Sequence, residues 1–340
     1  MYQFLKNLST NQQIAALFVT VFGCLAVASL VLFLLRLRLD HRNDHDSVYA
    51  VRHRADLNNA EGVLNTSWLM TGVFWLAWMA GTGVAVVLFG LVSFFCLREF
   101  ISISPTRRAD HRSLILVFFI MLPLQYVLVA YERFDLFSVL IPVYVFLAIP
   151  VASVLANDPH GFLERNAKLQ WGIMVCVYGM SHVPALLLLK FPKYNHKGAF
   201  LIFFLVLVVQ MAMLTQHLVS RKLRLRPSLP SISQSFNWRS WWIGVVVGSS
   251  IGGLLAGITP FVPGQAFAMA CVACVAGSLG HLVMKALKRD RGVPIWREEN
   301  GSVRLAAITG AGGLLYRVDA LCFAAPIFFH SVRWYFDLPR

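Results

Sequence analysis

Apolar runs of about twenty residues, parted by short charged segments, recur along the whole chain, and in a hydrocarbon layer about 30 Å thick each such run reads as a helical span. The first covers residues 14–35. It lacks the short apolar region and small-residue cleavage site of a secretory signal, so it is a retained span. Arg36, Arg38, Arg42, Arg52 and Arg54 follow it, and the polar stretch to residue 67 has too little apolar content for a domain, which places it at the interface. A second run, 68–96, is interrupted by Gly81-Thr82-Gly83. Basic groups on both sides of it (Arg54 before; Arg98, Arg107, Arg108 and Arg112 after) ask to face the same way, which predicts a bent or re-entrant hairpin with short arms, against the alternative of one tilted helix. Four runs then alternate cleanly, 113–131, 137–156, 171–189 and 199–219, with most of the cations in the loops on one side. Gly244, Gly248, Gly252 and Gly253 give the next helix a small face suited to close packing, Ile258-Thr259-Pro260-Phe261 ends it, and a run over 265–284 leads to a last apolar helix beyond Arg317. The pattern predicts an all-α integral membrane protein, a polytopic bundle of about eight to ten transmembrane helices. Residues 1–112 would be N-terminal spans and basic loops, and 113–340 the core, with a polar cavity facing the cytoplasm near the C-terminal half.

Composition agrees. Of the 340 residues 58% are hydrophobic and 14% charged, at a mean hydropathy of +0.65, more apolar surface than a soluble domain of this size buries. The formal charge of +14 would suit nucleic acid if it formed a patch, but it sits in short clusters at the ends of apolar runs, which is the positive-inside pattern. Anionic headgroups or a phosphorylated substrate are its natural partners, not nucleic acid. The six cysteines lie in or beside apolar runs. Cys271 and Cys274 form a C-x-x-C with no second ligand pair, so packing is their expected role. His182, inside a span beside Pro184, is expected to be a hydrogen-bonded packing residue rather than part of a proton relay.

Chemistry is concentrated between residues 280 and 335. Lys285, Lys288, Arg289 and Arg291 close one apolar helix, a glycine cluster (Gly310, Gly312, Gly313) follows, and Arg317 and Asp319 head the next helix. Cations with glycines that bare backbone N–H groups make a plausible phosphate site. The same residues also fit a basic loop beside a closely packed helix pair. Arg317 and Asp319 stand two apart and so point to different sides of a regular helix.

This stretch resembles the C-terminal signature of the phosphatidate cytidylyltransferases (CDP-diacylglycerol synthases): Lys-Arg, a gap, Lys-Asp, then Gly-His-Gly-Gly-x-x-Asp-Arg-x-Asp-Ser. Lys288-Arg289, Gly310, Gly312-Gly313 and Arg317-x-Asp319 fall on it in order. Leu97-Arg98-Glu99-Phe100, Leu122-Pro123-Leu124-Gln125-Tyr126, Phe162-Leu163-Glu164-Arg165 and Ser181-His182-Val183-Pro184-Ala185 are similar to scaffold segments of the same family, so the resemblance runs from about residue 94 to the end. It implies CTP and a phosphatidate-like lipid as substrates, Mg²⁺ as cofactor, and CDP-diacylglycerol and pyrophosphate as products. Lys288, Arg289, Gly312, Gly313 and Arg317 would bind substrate phosphates, and Asp319 would be the catalytic carboxylate and metal ligand. A bacterial inner membrane, with the polar site on the cytoplasmic side, is the location it implies.

Reactive positions depart from the family together. Ala311 replaces the His, Tyr316 the first Asp and Ala320 the Ser, and Pro294-Ile295 stand where Lys-Asp is expected. In the earlier motif ending Gln216-His217, Met213 stands where an Asp belongs, and a thioether does not replace a carboxylate on magnesium. Ser233 to Ser240 aligns with Ser-Pro-Asn-Lys-Thr-Trp-Glu-Gly, yet Phe236, Asn237 and Arg239 take the places of Lys, Thr and Glu. Asp290, Glu298 and Glu299 are the other acids nearby in sequence. The expectation is a degenerate, catalytically weak or inactive family member acting by binding, as a homodimer or paired with an active enzyme. An active cytidylyltransferase is the alternative, with a pocket lined by Met213, Phe236, Ala311 and Tyr316 as the mark of the degenerate form. An unrelated transporter would need paired broken helices in matching halves, and no such repeat is visible.

Overall fold

The computed structural model describes residues 10–40, 57, 61, 64, 68, 71, 72, 75, 79–104, 106–191, 198–233, 235–292 and 314–338. The described residues build a polytopic all-α membrane protein, with eight helices long and apolar enough to cross a membrane. They divide at Gly81 into two compact units.

In the first unit, residues 7–81, helix α1 runs Thr10–Asp40. Trp68 donates its indole N–H to Ser29 Oγ at 3.1 Å, and Arg36 pairs with Glu61 at 2.8 Å. Leu57, Glu61, Leu64, Trp68 and Trp75 are helical. The unit ends where Gly81 adopts φ 89°, a left-handed conformation that glycine takes without strain.

The second unit starts with α2, Thr82–Ser102. The break at the glycines expected from sequence is there, but the arm after it is not short: α2 continues through Leu97-Arg98-Glu99-Phe100 and reaches 21 residues. Next come α3, Arg108–Ala130, and α4, Phe134–Val154. Helix α5 covers 162–187, followed by α6, Gly198–Lys222, and α7, Trp238–Leu254. The last two are α8, Pro263–Asp290, and α9, Leu315–Tyr335. Helices α3, α4 and α5 each contain a π-helical turn, at Leu116–Met121, Leu140–Val145 and Met174–Gly179.

The glycine face of α7 works as predicted. A Cβ on Gly248 would stand 2.8 Å from Cys274 Sγ of α8 and 2.9 Å from Ala212 Cβ of α6, and one on Gly244 or Gly252 would strike the Ala212 carbonyl or Ala270. The backbone of α7 therefore lies directly against both neighbours. Cys274 donates its thiol to the Val208 carbonyl at 3.3 Å, which is the packing role expected of the C-x-x-C. At the loop before α5, Arg165 reaches Asp110 and Asp158, each at 2.8 Å, and ties the starts of α3 and α5 together. The backbone N–H and ring of His160 hold the Asp158 carboxyl below its ordinary value, and Arg165 adds to this.

Candidate functional site

Helix α8 delivers the site's polar side chains by spacing alone. His281, Lys285 and Lys288 stand four and three residues apart, hence on one face. Tyr316 and Asp319, three apart at the start of α9, face them. Close approach is possible because a Cβ on Gly280 would collide with Phe323, and one on Gly277 would lie 2.6 Å from Val209 of α6. Trp241 of α7 secures the turn below by donating to Ser278 Oγ at 2.8 Å, and Ser278 in turn donates to the Cys274 carbonyl at 2.6 Å.

Asp319 is buried, 2% exposed, and both of its oxygens meet His281 Nδ1, at 3.0 and 2.9 Å. Its Oδ1 also accepts the Ala320 N–H at 2.6 Å. A carboxylate cannot donate, so Nδ1 carries the hydrogen that His281 shares with Asp319. The His281 ring lies 5.4 Å from that of Tyr316. On the same Tyr316 ring sits Lys288 Nζ, 4.3 Å from the centroid. Lys288 is 5% exposed, and among the described residues no carboxylate pairs with it.

A fourth helix contributes the acid that sequence order hides. Glu99, buried at the end of α2, accepts the Leu315 N–H through Oε2 at 2.9 Å and so holds the first turn of α9. Such a contact satisfies an orphan donor at a helix start and sets a negative charge at its positive end. Lys288 lies in the field of both Glu99 and Asp319, Lys285 in that of Asp319, and Arg317 in that of Glu99.

The predicted residues thus part company. Lys288 and Asp319 come together; Arg317 is exposed, on the other side of α9, as the two-residue spacing required. Arg289 is exposed and donates to the Ile232 carbonyl at 3.4 Å. Gly312 and Gly313, with Gly310, Ala311, Glu298 and Glu299, lie outside the described residues. Asp290 is exposed and pairs with the adjacent Arg291, away from Asp319. Phe236, expected to line a pocket, is instead packed on Trp238 with ring centroids 5.1 Å apart and is 2% exposed. Asn237, which the motif comparison presents as a lost reactive residue, serves the fold: its side chain accepts the Arg239 N–H at 2.8 Å and caps α7. His281 and Glu99 are the residues sequence reasoning did not assemble, whereas Lys285 already stood among the cations of the expected phosphate site. The spacing 281, 285, 288 carried the signal for His281; nothing local carried Glu99.

Magnesium takes one or two carboxylates and completes its octahedron with water and phosphate oxygens. Among the described residues no three His, Cys, Asp or Glu side chains converge on one point, and Asp319 has both oxygens on His281. What the arrangement offers is a buried ammonium at Lys288 and a half-buried one at Lys285, both at one end of the bundle.

The cytidylyltransferase family model matches residues 62–335, from ahead of α2 to the end of α9. The chain belongs to the cytidylyltransferase family. It is of the phosphatidate cytidylyltransferase type that its C-terminal residues resemble, and the match begins earlier than residue 94, where the resemblance first became legible. A protein of Escherichia coli (strain K12), named "Uncharacterized protein YnbB", is 30% identical over 318 residues, covering 93% of this chain and 97% of its own.

Proposed function

We propose that this protein is a degenerate cytidylyltransferase-family member of phospholipid biosynthesis, which binds a phosphate-bearing lipid in the family frame and has weak or no nucleotidyl transfer. The engagement of both Asp319 oxygens by His281 carries this reading, because the one motif acid retained in the signature is already bound within the protein. Lys288 supports the binding half: a cation 5% exposed, resting on an aromatic face and paired with no carboxylate among the described residues, is stabilised by an arriving phosphate oxygen. The cation bias of the loops supports an orientation with this end of the bundle at the cytoplasmic face. Its partner is a second copy of the chain or an active enzyme that receives the lipid.

One observation favours an active enzyme, namely the arrival of Glu99 at the Leu315 N–H, one residue from Tyr316, where a motif Asp is missing. Conversion of CTP and phosphatidate to CDP-diacylglycerol by the purified protein with Mg²⁺, with Asp319→Asn as control, decides between the two. The expected result is phosphatidate binding without turnover above the control. Turnover abolished by Asp319→Asn would overturn the reading.

A further inference from the structure

We infer that Tyr316 is the positioning residue of this site: its ring face, and not a carboxylate, seats the Lys288 ammonium and so leaves that charge for an incoming anion. The inference rests on the binding reading above and deepens it, by naming the side chain that makes a receptor of a buried lysine. Lys288 Nζ stands 4.3 Å from the centroid of the Tyr316 ring, and the lysine is only 5% exposed. Little water competes there for either partner, which puts the attraction between cation and ring at the strong end of its range. The ring is fixed from both sides along α9. One residue before it, Glu99 Oε2 accepts the Leu315 N–H at 2.9 Å. Three residues after it, Asp319 is held by His281 Nδ1 at 2.9 Å, and the His281 ring lies 5.4 Å from that of Tyr316. The ammonium therefore rests on a face whose own place is set by two other helices.

Three kinds of side chain at 316 would treat the ammonium differently. A carboxylate would form an ion pair with it, and a buried pair is costly to break, so an arriving anion would have to displace the acid first. An aliphatic side chain would leave the charge buried with nothing against it, which is costly in itself. An aromatic face attracts the charge through its quadrupole and forms no salt bridge. Of the three, it alone both holds the ammonium in place and leaves a whole positive charge to bind with. Lys288 pairs with no carboxylate among the described residues, as that account requires.

Phosphatidate binding to the full-length protein in nanodiscs, together with thermal midpoints in detergent, tests this. Tyr316→Phe keeps the face and is expected to bind within about twofold of the unchanged protein, whereas Tyr316→Leu is expected to weaken binding about tenfold. Tyr316→Glu, which sets a carboxylate close to where the ring stands, is expected to weaken it about tenfold or more. A residue that acts through Lys288 has nothing left to act on once the ammonium is gone, so in a Lys288→Met background Tyr316→Leu should cost less than about a further twofold. The midpoint gives the same cycle without lipid: the fall caused by Tyr316→Leu should shrink to about half or less when residue 288 is already methionine. Unchanged binding in Tyr316→Leu or Tyr316→Glu, a loss in Tyr316→Phe as large as in Tyr316→Leu, or losses that multiply in the double variant overturn the inference. Absence of phosphatidate binding by the unchanged protein brings down the binding reading. The midpoint cycle then still decides whether the ring seats Lys288, and falls that simply add in the double variant overturn it.

Discussion

The two ends of α9 both carry polar groups into the bundle, and they treat them in opposite ways. Near its C-terminal end, His330 meets His182 of α5, Nε2 to Nε2 at 3.2 Å, and Tyr178 Oη at 3.3 Å. His182 Nδ1 donates to the Tyr178 carbonyl at 2.7 Å, and the rings of Phe137 and Phe329 enclose the pair, with centroids 4.6 and 5.2 Å from that of His182. Every group there is formally neutral and bonded to another part of the bundle. At the N-terminal end charged groups take part, and one of them, Lys288, rests on the Tyr316 ring and pairs with no carboxylate among the described residues. A satisfied network in a low-dielectric interior fixes helices in place. A buried ammonium with free donors is costly unless something arrives to use them, and that difference separates scaffold from site.

Both ends depend on α5 lying against α9, so the change with the largest effect strikes that contact. A Cβ on Gly179 would run into the Cys322 carbonyl, and Gly179→Ala is expected to cost about 3 kcal/mol, read as a fall in the thermal midpoint in detergent and as loss of lipid binding. His182→Ala separates the two ends. Removing a wholly buried ring and its hydrogen bonds should cost about 2–3 kcal/mol of stability while leaving phosphatidate affinity within twofold. Lys288→Met should show the reverse pattern: phosphatidate binding weakened about tenfold, or about 1.4 kcal/mol, with the thermal midpoint unchanged or higher. If both substitutions altered stability alone, the two ends would be the same kind of structure and the comparison would fail. The smallest effect is expected from Gln125→Leu. Gln125 Nε2 donates to the Phe137 carbonyl and Ser181 Oγ, both at 3.2 Å, but its Oε1 has no partner among the described residues, so exchanging the amide for an isosteric apolar group should shift stability by less than about 1 kcal/mol.

Sequence carried the membrane architecture well, because hydropathy and charge act over whole runs and need no knowledge of neighbours. It also carried the glycine face of α7, where absent side chains at every fourth position can mean close packing. Other features were opaque for identifiable reasons. The π-helical turn at Met174–Gly179 shifts the face presented by every residue after it, so a regular helical projection misplaces His182 relative to Leu169. Asn237, seen through the motif, looks like a lost reactive group, although its position just before a helix already explains it as a cap. At the site, the matched positions Lys288 and Asp319 stand out because they are adjacent to recognisable glycines and arginines. Their companions do not, because His281 lies inside an apolar helix away from those glycines and Glu99 is separated from Leu315 by 216 residues.

That separation has a consequence in time. At the usual pace of synthesis, about 5–20 residues per second, Glu99 leaves the ribosome on the order of ten to forty seconds before Leu315. Throughout that interval α2 is complete but the helix start it holds has not been made. Of the acids and cations that converge at this end of the bundle, the first to be born waits for the last, and the anion site comes into being as a whole, late, when α9 docks.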